Sequence, residues 1–380
     1  MAKSPDLTRD AEAAHLQTAL DRFRDPIISE MRAFFTAHDA DADLHSFYGP
    51  MAYHLGWVDE RFAPAQNPPG KLMRPALVLW ACELAALAVG ADATTRAERL
   101  YGALPAAVSV ELIHNFSLIH DDIEDCDRLR RGRPTIWAIW GEPQAINIGD
   151  GMFALARLAL VDCATRGVAA PLVLGMAGEL DRTSLRLCEG QHRDMGFEGT
   201  TVVTPTMYLD MIARKTAALM RAACSFGATI GAAGVPGIVR DLAEFGECLG
   251  VAFQLRDDLL GIWDAHTSLG KTAAGDLRRR KKSLPVIHAL AHAPPTKRAR
   301  LAAIYAAETE PTEADITWML TVIGATSRAW CREQLAELCA RARTALAHAC
   351  GAHAGVADSE SAQALGALVD YIALAASPAE

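Results

Sequence analysis

Apolar residues recur three and four positions apart along nearly the whole chain, and no run of five or more residues alternates as a half-buried strand would. The spacing predicts helices over 16–35, 77–89, 106–119, 145–160 and 172–187, then over 207–230, 242–260, 318–323, 330–347 and 362–374. Thr204-Pro205 sets a hydroxyl cap before a first-turn proline, and Pro105, Pro143 and Pro171 punctuate other starts in a similar way. The uncharged stretch 222–239 is broken by glycines and by Pro236, so it reads as a buried helix and a turn rather than a membrane span. Polar interruptions are short. The most conspicuous, 264–283, is too polar and too glycine-punctuated for a core helix and reads as a mobile surface loop; 308–315 and 351–361 read as ordinary connections. No Gly/Ser or Pro linker separates apolar blocks that could each close a core, and no repeat of solenoid period is visible. The pattern predicts an all-α, single-domain helical bundle.

Composition narrows the class. With 380 residues, 51% of them hydrophobic and 22% charged, the chain is neither disordered nor a coiled coil. Alanine fills the helices and aromatics are only 6%, which suits closely apposed helices. A formal charge of −9 argues against non-specific nucleic-acid binding. None of the nine cysteines forms a CxxC pair, as expected of buried free thiols in a reducing compartment. The N-terminal segment lacks the apolar core of a secretory signal and carries acids that a transit peptide would avoid. These features predict a cytoplasmic protein without stable membrane insertion.

The chemistry begins at 111–127, ELIHNFSLIHDDIEDCD, where an apolar helix runs into five acids within seven residues. At 3.6 residues per turn Asp121 and Asp125 stack on one face, with Asp122 beside them. Each like-charge pair at roughly 5 Å costs about 3 kcal/mol at an effective dielectric near 20. A frayed end would relieve that repulsion. The acids, however, continue the apolar helix directly and no stop signal stands nearby, which favours a cavity with a cation as counter-charge. A second apolar helix carries GVAFQLRDDLLGIWD (250–264), with Asp257 and Asp258 adjacent and Gln254 one turn earlier. Two such clusters facing each other across a bundle suit hard, oxygen-preferring ions such as magnesium.

Basic residues supply the other half. GKLMRP (70–75) puts Lys71 and Arg74 one turn apart at a helix start; Arg130 and Arg131 follow the first acid cluster; Lys215-Thr216 interrupts an apolar helix; Lys271 and Lys281 fall in the polar segment. Each alone reads as a solvated cation. Together with the acids they describe a site for more than one polyanion.

These motifs, in this order, resemble the trans-isoprenyl diphosphate synthases (the polyprenyl synthetase family) over roughly residues 65–290: GKLMRP, DDIEDCDRLRRGRPT, GQHRD (190–194), Lys215-Thr216, FQLRDD, and then GK, GDL and KK through the polar segment. The resemblance implies one all-α bundle around a deep cavity, usually as a homodimer, with 1–64 as a helical extension of the same bundle and 65–380 as the synthetase domain. It implies two or three magnesium ions on Asp121 and Asp125 from one wall and Asp257 from the other, supported by Asp122 and Asp258. The allylic diphosphate would be held by Arg130, Lys215 and Lys271 with Lys281 assisting, and Gln254 and Thr216 would add hydrogen bonds. Isopentenyl diphosphate would meet Lys71, Arg74, His114 and Arg131, while Gln191 and Asp194 line the cavity. The implied reaction is departure of diphosphate from the allylic substrate, attack by the isopentenyl double bond and loss of a proton.

One departure stands out. Gly261 occupies the place where many relatives carry a third Asp in the second cluster, and Asp264 follows one turn later. Product length, by the same resemblance, depends on the residues just before the first cluster: Phe116 lies five before Asp121 and Ser117 four before. An aromatic at the earlier place alone points to geranylgeranyl diphosphate, with farnesyl diphosphate second. Two rivals are a class I terpene cyclase, which has no second diphosphate for Lys71, Arg74 and Arg131 to bind, and a non-catalytic partner subunit, which would not need intact acid clusters.

Overall fold

The computed structural model of the chain describes residues 5–39, 41–65, 67, 70–200, 202–263, 274–351, 353 and 355–376. Asp264 and Lys271 lie outside the described residues. The chain runs through α1 (Pro5–His38), α2 (His45–His54), α3 (Met73–Ala88) and α4 (Ala93–Glu124) before a two-residue hairpin, β1 (Leu129–Arg130) and β2 (Arg133–Pro134). There follow α5 (Ile136–Trp140), α6 (Glu142–Val161), α7 (Ala170–Gly199) and α8 (Pro205–Ile212). One π-helical turn (Ala213–Ala217) leads into α9 (Ala218–Gly231) and α10 (Pro236–Trp263). The chain closes with α11 (Gly275–Arg278), α12 (Leu284–His292), α13 (Pro295–Ala306), α14 (Glu313–Cys350) and α15 (Glu360–Ala373).

The bundle is built around α3, which is apolar on nearly every side: Leu77, Val78, Leu79, Trp80, Cys82 and Leu84 are all fully buried. Its neighbour α9 packs backbone to backbone against it, because a β-carbon at Gly227 would collide with the Val78 carbonyl. Helix α4 starts on the Asp92 side chain, which accepts from Thr95 N. It is long and apolar enough to cross a membrane, but 78% of its apolar window is buried in the bundle. Helix α1 lays Leu20, Phe23, Ile27 and Met31 into the same core. Arg22 ties it to α3 through a bidentate pair with Glu83 (2.6 and 2.8 Å), whose carboxylate also accepts from Ser361 of α15. A satellite core of Ile262, Leu277, Val286, Leu301, Ile316 and Met319 packs beneath the C-terminal end of α10.

Three local expectations need correction. The predicted helices 318–323 and 330–347 are one helix, α14, opened by a capping box of Thr312 and Asp315. The polar gap between them carries Ser327, which is fully buried and meets His288 Nδ1 at 3.1 Å. The segment 264–283 is not a surface loop over its described half: α11 forms there, and Asp276, Leu277 and Ser283 are buried. Pro105 does not open a helix but lies inside α4. As expected, no long strand forms; the hairpin 129–134 pairs two residues a side, with Arg131 (φ 52°) and Gly132 (φ 75°) as the two left-handed residues of a type I′ turn.

Candidate active site

The first acid cluster sits where α4 stops. Asp125 is the C-cap and Cys126 takes a left-handed conformation (φ 55°), so the helix ends inside the motif. Asp121 and Asp122 remain on the last turn. Asp122 is buried and accepts from Arg130 Nε at 2.7 Å, while its Oδ2 has no partner; burial pushes its pKa up to about 6 against the pull of Arg130. Asp121 faces Lys215 Nζ at 3.1 Å and Arg130 Nη2 at 3.6 Å. Lys215 projects from the π-helical turn and reaches Asp194 of α7 at 2.7 Å. Burial alone would lower the Lys215 pKa, but the two carboxylates outweigh it and hold it above the usual lysine range. Three motifs far apart in sequence therefore meet at one ammonium group.

The second cluster divides its labour. Asp258 is buried, its Oδ2 accepting from the Tyr208 hydroxyl (2.7 Å) and from Leu284 N (3.1 Å), its Oδ1 from Gln254 Nε2 (3.1 Å). Thr216 donates to Gln254 Oε1 at 3.4 Å, extending the chain of bonds to the neighbour of Lys215. Burial raises the Asp258 pKa, and nearby Lys281, itself solvent-exposed, opposes it. With Asp258 committed to holding α8, α10 and α12 together, Asp257 is the member whose side chain reaches solvent, 45% exposed and 3.4 Å from Arg256. At Gly261 a β-carbon would run into the carboxylate of Asp276, which is buried. An acid delivered from α11 thus fills the space of the absent third aspartate.

The remaining basic residues form their own group. Arg74 Nη1 lies 3.2 Å from His114 Nε2, and since guanidinium only donates, this nitrogen of His114 is the acceptor. Burial lowers the pKa of both, and Arg74 lowers His114 further. Arg131 stands over Gly70, where a β-carbon would meet its Nη2 at 2.8 Å, so the hairpin closes onto the GKLMRP segment. Below them is Glu111, buried and bonded by Asn115 Nδ2 at 3.0 Å; burial raises its pKa while Arg74 and Arg131 oppose. Lys71 is exposed and precedes Leu72, whose left-handed backbone (φ 51°) turns the chain into α3.

Between these groups lies a cavity of about 240 Å³, lined among others by Arg74, His114, Phe116, Ser117, Asp121, Gln191, Lys215 and Thr216. Both polar atoms of the Gln191 amide are buried there without a partner. Phe116 is 8% exposed and packs edge-on against Phe153 of α6 (5.3 Å) and His120 (5.7 Å). Ser117 spends its hydroxyl on the His114 carbonyl (2.8 Å). Glu111, His120, Phe153, Tyr208 and Asp276 belong to the site or its frame and were not singled out by the sequence reading. Only Asp276 had a visible signal, its place in GDL.

Among the described residues no three acidic, His or Cys side chains converge as a ready-made metal cluster. The donors that face the cavity are nevertheless carboxylate oxygens, their charge presently met by Lys215 and Arg130, and Asp122 Oδ2 is orphaned. That set fits a hard divalent cation.

Two acid-bearing helices and a cavity lined by Lys215 and Arg74, with Arg130 reaching Asp121 beside it, make a site whose charge suits a polyanion. The polyprenyl synthetase family model matches residues 56–323, and the chain belongs to this family. It is 46% identical over 243 residues to the (2E,6E)-farnesyl diphosphate synthase of Mycobacterium tuberculosis, spanning 64% of this chain and 63% of that protein, less than two thirds of its length. It is also 39% identical over 277 residues to a geranylgeranyl diphosphate synthase of the same organism, 72% of this chain and 74% of the relative. The fold matches a polyprenyl synthetase structure from Streptomyces coelicolor A3(2) with a TM-score of 0.80 and 34% identity, covering 94% of this chain and 99% of that one. A geranylgeranyl pyrophosphate synthase from Corynebacterium glutamicum, solved with isoprenyl diphosphate and magnesium, matches with a TM-score of 0.70 and 26% identity, covering 93% and 99%.

Proposed function

We propose that the chain joins isopentenyl diphosphate head-to-tail to an allylic diphosphate, as a trans-prenyl diphosphate synthase. The observation that carries this reading is the separation of the cations: Lys215 and Arg130 stand at the acid cluster, while Arg74, aimed by neutral His114, belongs to a second group and lines the same cavity as Lys215. A protein acting on one diphosphate has no use for the second group.

Lys215 and Arg130 would bind the allylic diphosphate and stay in place as its C–O bond breaks, the electron pair leaving with diphosphate. Magnesium held by Asp121, Asp125 and Asp257 would supply Lewis-acid charge for that leaving group. Lys71, Arg74, His114 and Arg131 would hold isopentenyl diphosphate so that its double bond reaches the allylic carbon. Its π pair forms the new C–C bond, and the proton lost afterwards passes to the released diphosphate. The neutral, acceptor state of His114 Nε2 keeps Arg74 aimed without adding a charge. Gln191, Thr216 and Gln254 complete the polar lining.

Phe116, braced by Phe153, forms the cavity floor in this reading and favours geranylgeranyl diphosphate, with farnesyl diphosphate second. A second copy would dock on α6 and α7, where Ile146, Leu158, Leu174 and Leu185 are exposed. The test is to incubate the purified protein with labelled isopentenyl diphosphate and each allylic starter, with magnesium or with excess chelator, and to size the extracted products. A linear product that grows in five-carbon steps and disappears in chelator is expected. A cyclised hydrocarbon from the allylic diphosphate alone, or silence with every starter, would overturn the reading.

A further inference from the structure

Tyr371 lies near the end of α15, outside every motif singled out above. Its ring carries two cations: Arg256 Cζ is 4.2 Å from the ring centroid and Lys71 Nζ 5.9 Å. They come from opposite parts of the site. Lys71 opens GKLMRP, and Arg256 precedes Asp257 with a side chain only 9% exposed. The ring is held from both ends of its helix. Asp370 pairs with Arg343 of α14 at 2.7 Å, and Ser361 bonds Glu83 of α3.

The charge balance around this ring is incomplete. Asp257 meets Arg256 at 3.4 Å, a loose contact for a buried guanidinium, and the aromatic face makes up part of the remainder. Lys71 makes no ion pair among the described residues. Arg74, three residues after Lys71, also feels the charge of Asp257. Like charges brought to one ring repel each other, and the arrangement gains most when an anion lies beside them.

We infer that Tyr371 is a positioning residue for the second diphosphate: its ring orients Lys71 and presents Arg256 as a further cation toward isopentenyl diphosphate. The inference rests on the prenyl-transfer reading. Without the ring, Arg256 collapses onto Asp257 and Lys71 loses the surface that holds it. Tyr371→Phe keeps the aromatic face and Tyr371→Leu keeps only apolar bulk. For Tyr371→Leu the KM for isopentenyl diphosphate should rise about fivefold to tenfold, with the allylic KM and kcat within about twofold. Tyr371→Phe should restore parental values. Calorimetric titration with isopentenyl diphosphate, which needs no turnover, should show the same loss of affinity in Tyr371→Leu and in Arg256→Gln. Equal affinity in parent and Tyr371→Leu, or a Phe variant as impaired as the Leu one, overturns this inference alone. A parent that binds no isopentenyl diphosphate refutes the prenyl-transfer reading instead.

Discussion

Gly190 of α7 lies directly against the backbone of Lys215, so closely that a β-carbon at position 190 would stand 2.8 Å from the Lys215 Cα. The π-helical turn that carries Lys215 can approach α7 only because this residue has no side chain. The contact also sets the reach from Lys215 to Asp194, four residues further along α7. Gly190→Ala should therefore separate α7 from the turn and pull Lys215 away from Asp121 and Asp194. A stability loss of about 1–3 kcal/mol is expected from overpacking. Turnover at saturating substrate should fall by about tenfold or more, with folding retained by circular dichroism. Parental kcat in this variant would show that the Lys215 position does not depend on the contact.

His54 supplies a pH prediction. Burial, reinforced by Arg130, Arg131 and Arg133, pushes its pKa down to about 3. In the folded protein it stays neutral, whereas in the unfolded chain it takes up a proton below about 6.5. Its stabilising contribution is therefore complete above about pH 6.5 and is lost progressively as pH falls toward 3. Urea midpoints measured at about pH 7.5 and pH 5 should drop for the parent, and His54→Gln should reduce that drop. An unchanged pH slope in the variant would mean that other groups carry the acid sensitivity.

What was legible in the sequence follows from what a one-dimensional pattern can encode. The 3.6 period marks which face of α4 or α10 is buried, and the charges at the ends of those faces mark Asp121 and Asp257. The pattern does not encode which distant residues meet. Tyr208 sits in an apolar helix like any core aromatic, and only the fold brings its hydroxyl to Asp258, fifty positions later. Glu111 looks like a lapse in an apolar helix until Arg74 and Arg131 are placed over it. The hairpin 129–134 has no alternating pattern, because its two-residue strands exist to aim Arg130 and Arg131 rather than to cover a core. The apolar spacing lapses over 324–329 in the middle of α14, where Ser327 is the buried partner of His288.

Phe116 lines the cavity, with Phe153 behind it at 5.3 Å, and in the proposed function this aromatic pair is the floor beneath the growing chain. Phe116→Ala should open the floor and shift products toward longer chains. Phe153→Ala should do so more weakly, by letting the Phe116 ring move back, and the double variant should exceed either single change because the two sites share one space. Chromatographic sizing of dephosphorylated products checks this. Products that stay the same length in Phe116→Ala would place the floor elsewhere.

Helices α6 and α7 pack together, bridged by the pair Arg157–Asp181, and both carry exposed apolar residues. Leu185 is 61% exposed and Leu174 74%, a costly arrangement for a surface that stays wet. Leu185→Glu should convert a dimer into a monomer in light scattering at micromolar concentration. A parent that is itself monomeric would leave that face without a second copy as its occupant.

The substitution at the third position of the second cluster leads to a paired test. A side chain at 261 has no room, because the carboxylate of Asp276 already lies where its β-carbon would go. Asp276 is also paired with Arg279 at 3.1 Å, so it does not simply rotate away. Gly261→Asp should be destabilising by about 2–4 kcal/mol, combining overpacking with a second buried negative charge. Asp276→Gly alone removes a buried acid, opens a small void and leaves Arg279, an exposed side chain, in water. Joined in one protein, the two changes should compensate, since the new carboxylate enters the space left by the old one. A coupling energy of about 1–3 kcal/mol from denaturant midpoints of the four proteins is the expected signature. Additive losses would mean that Asp276 and residue 261 do not compete for the same space.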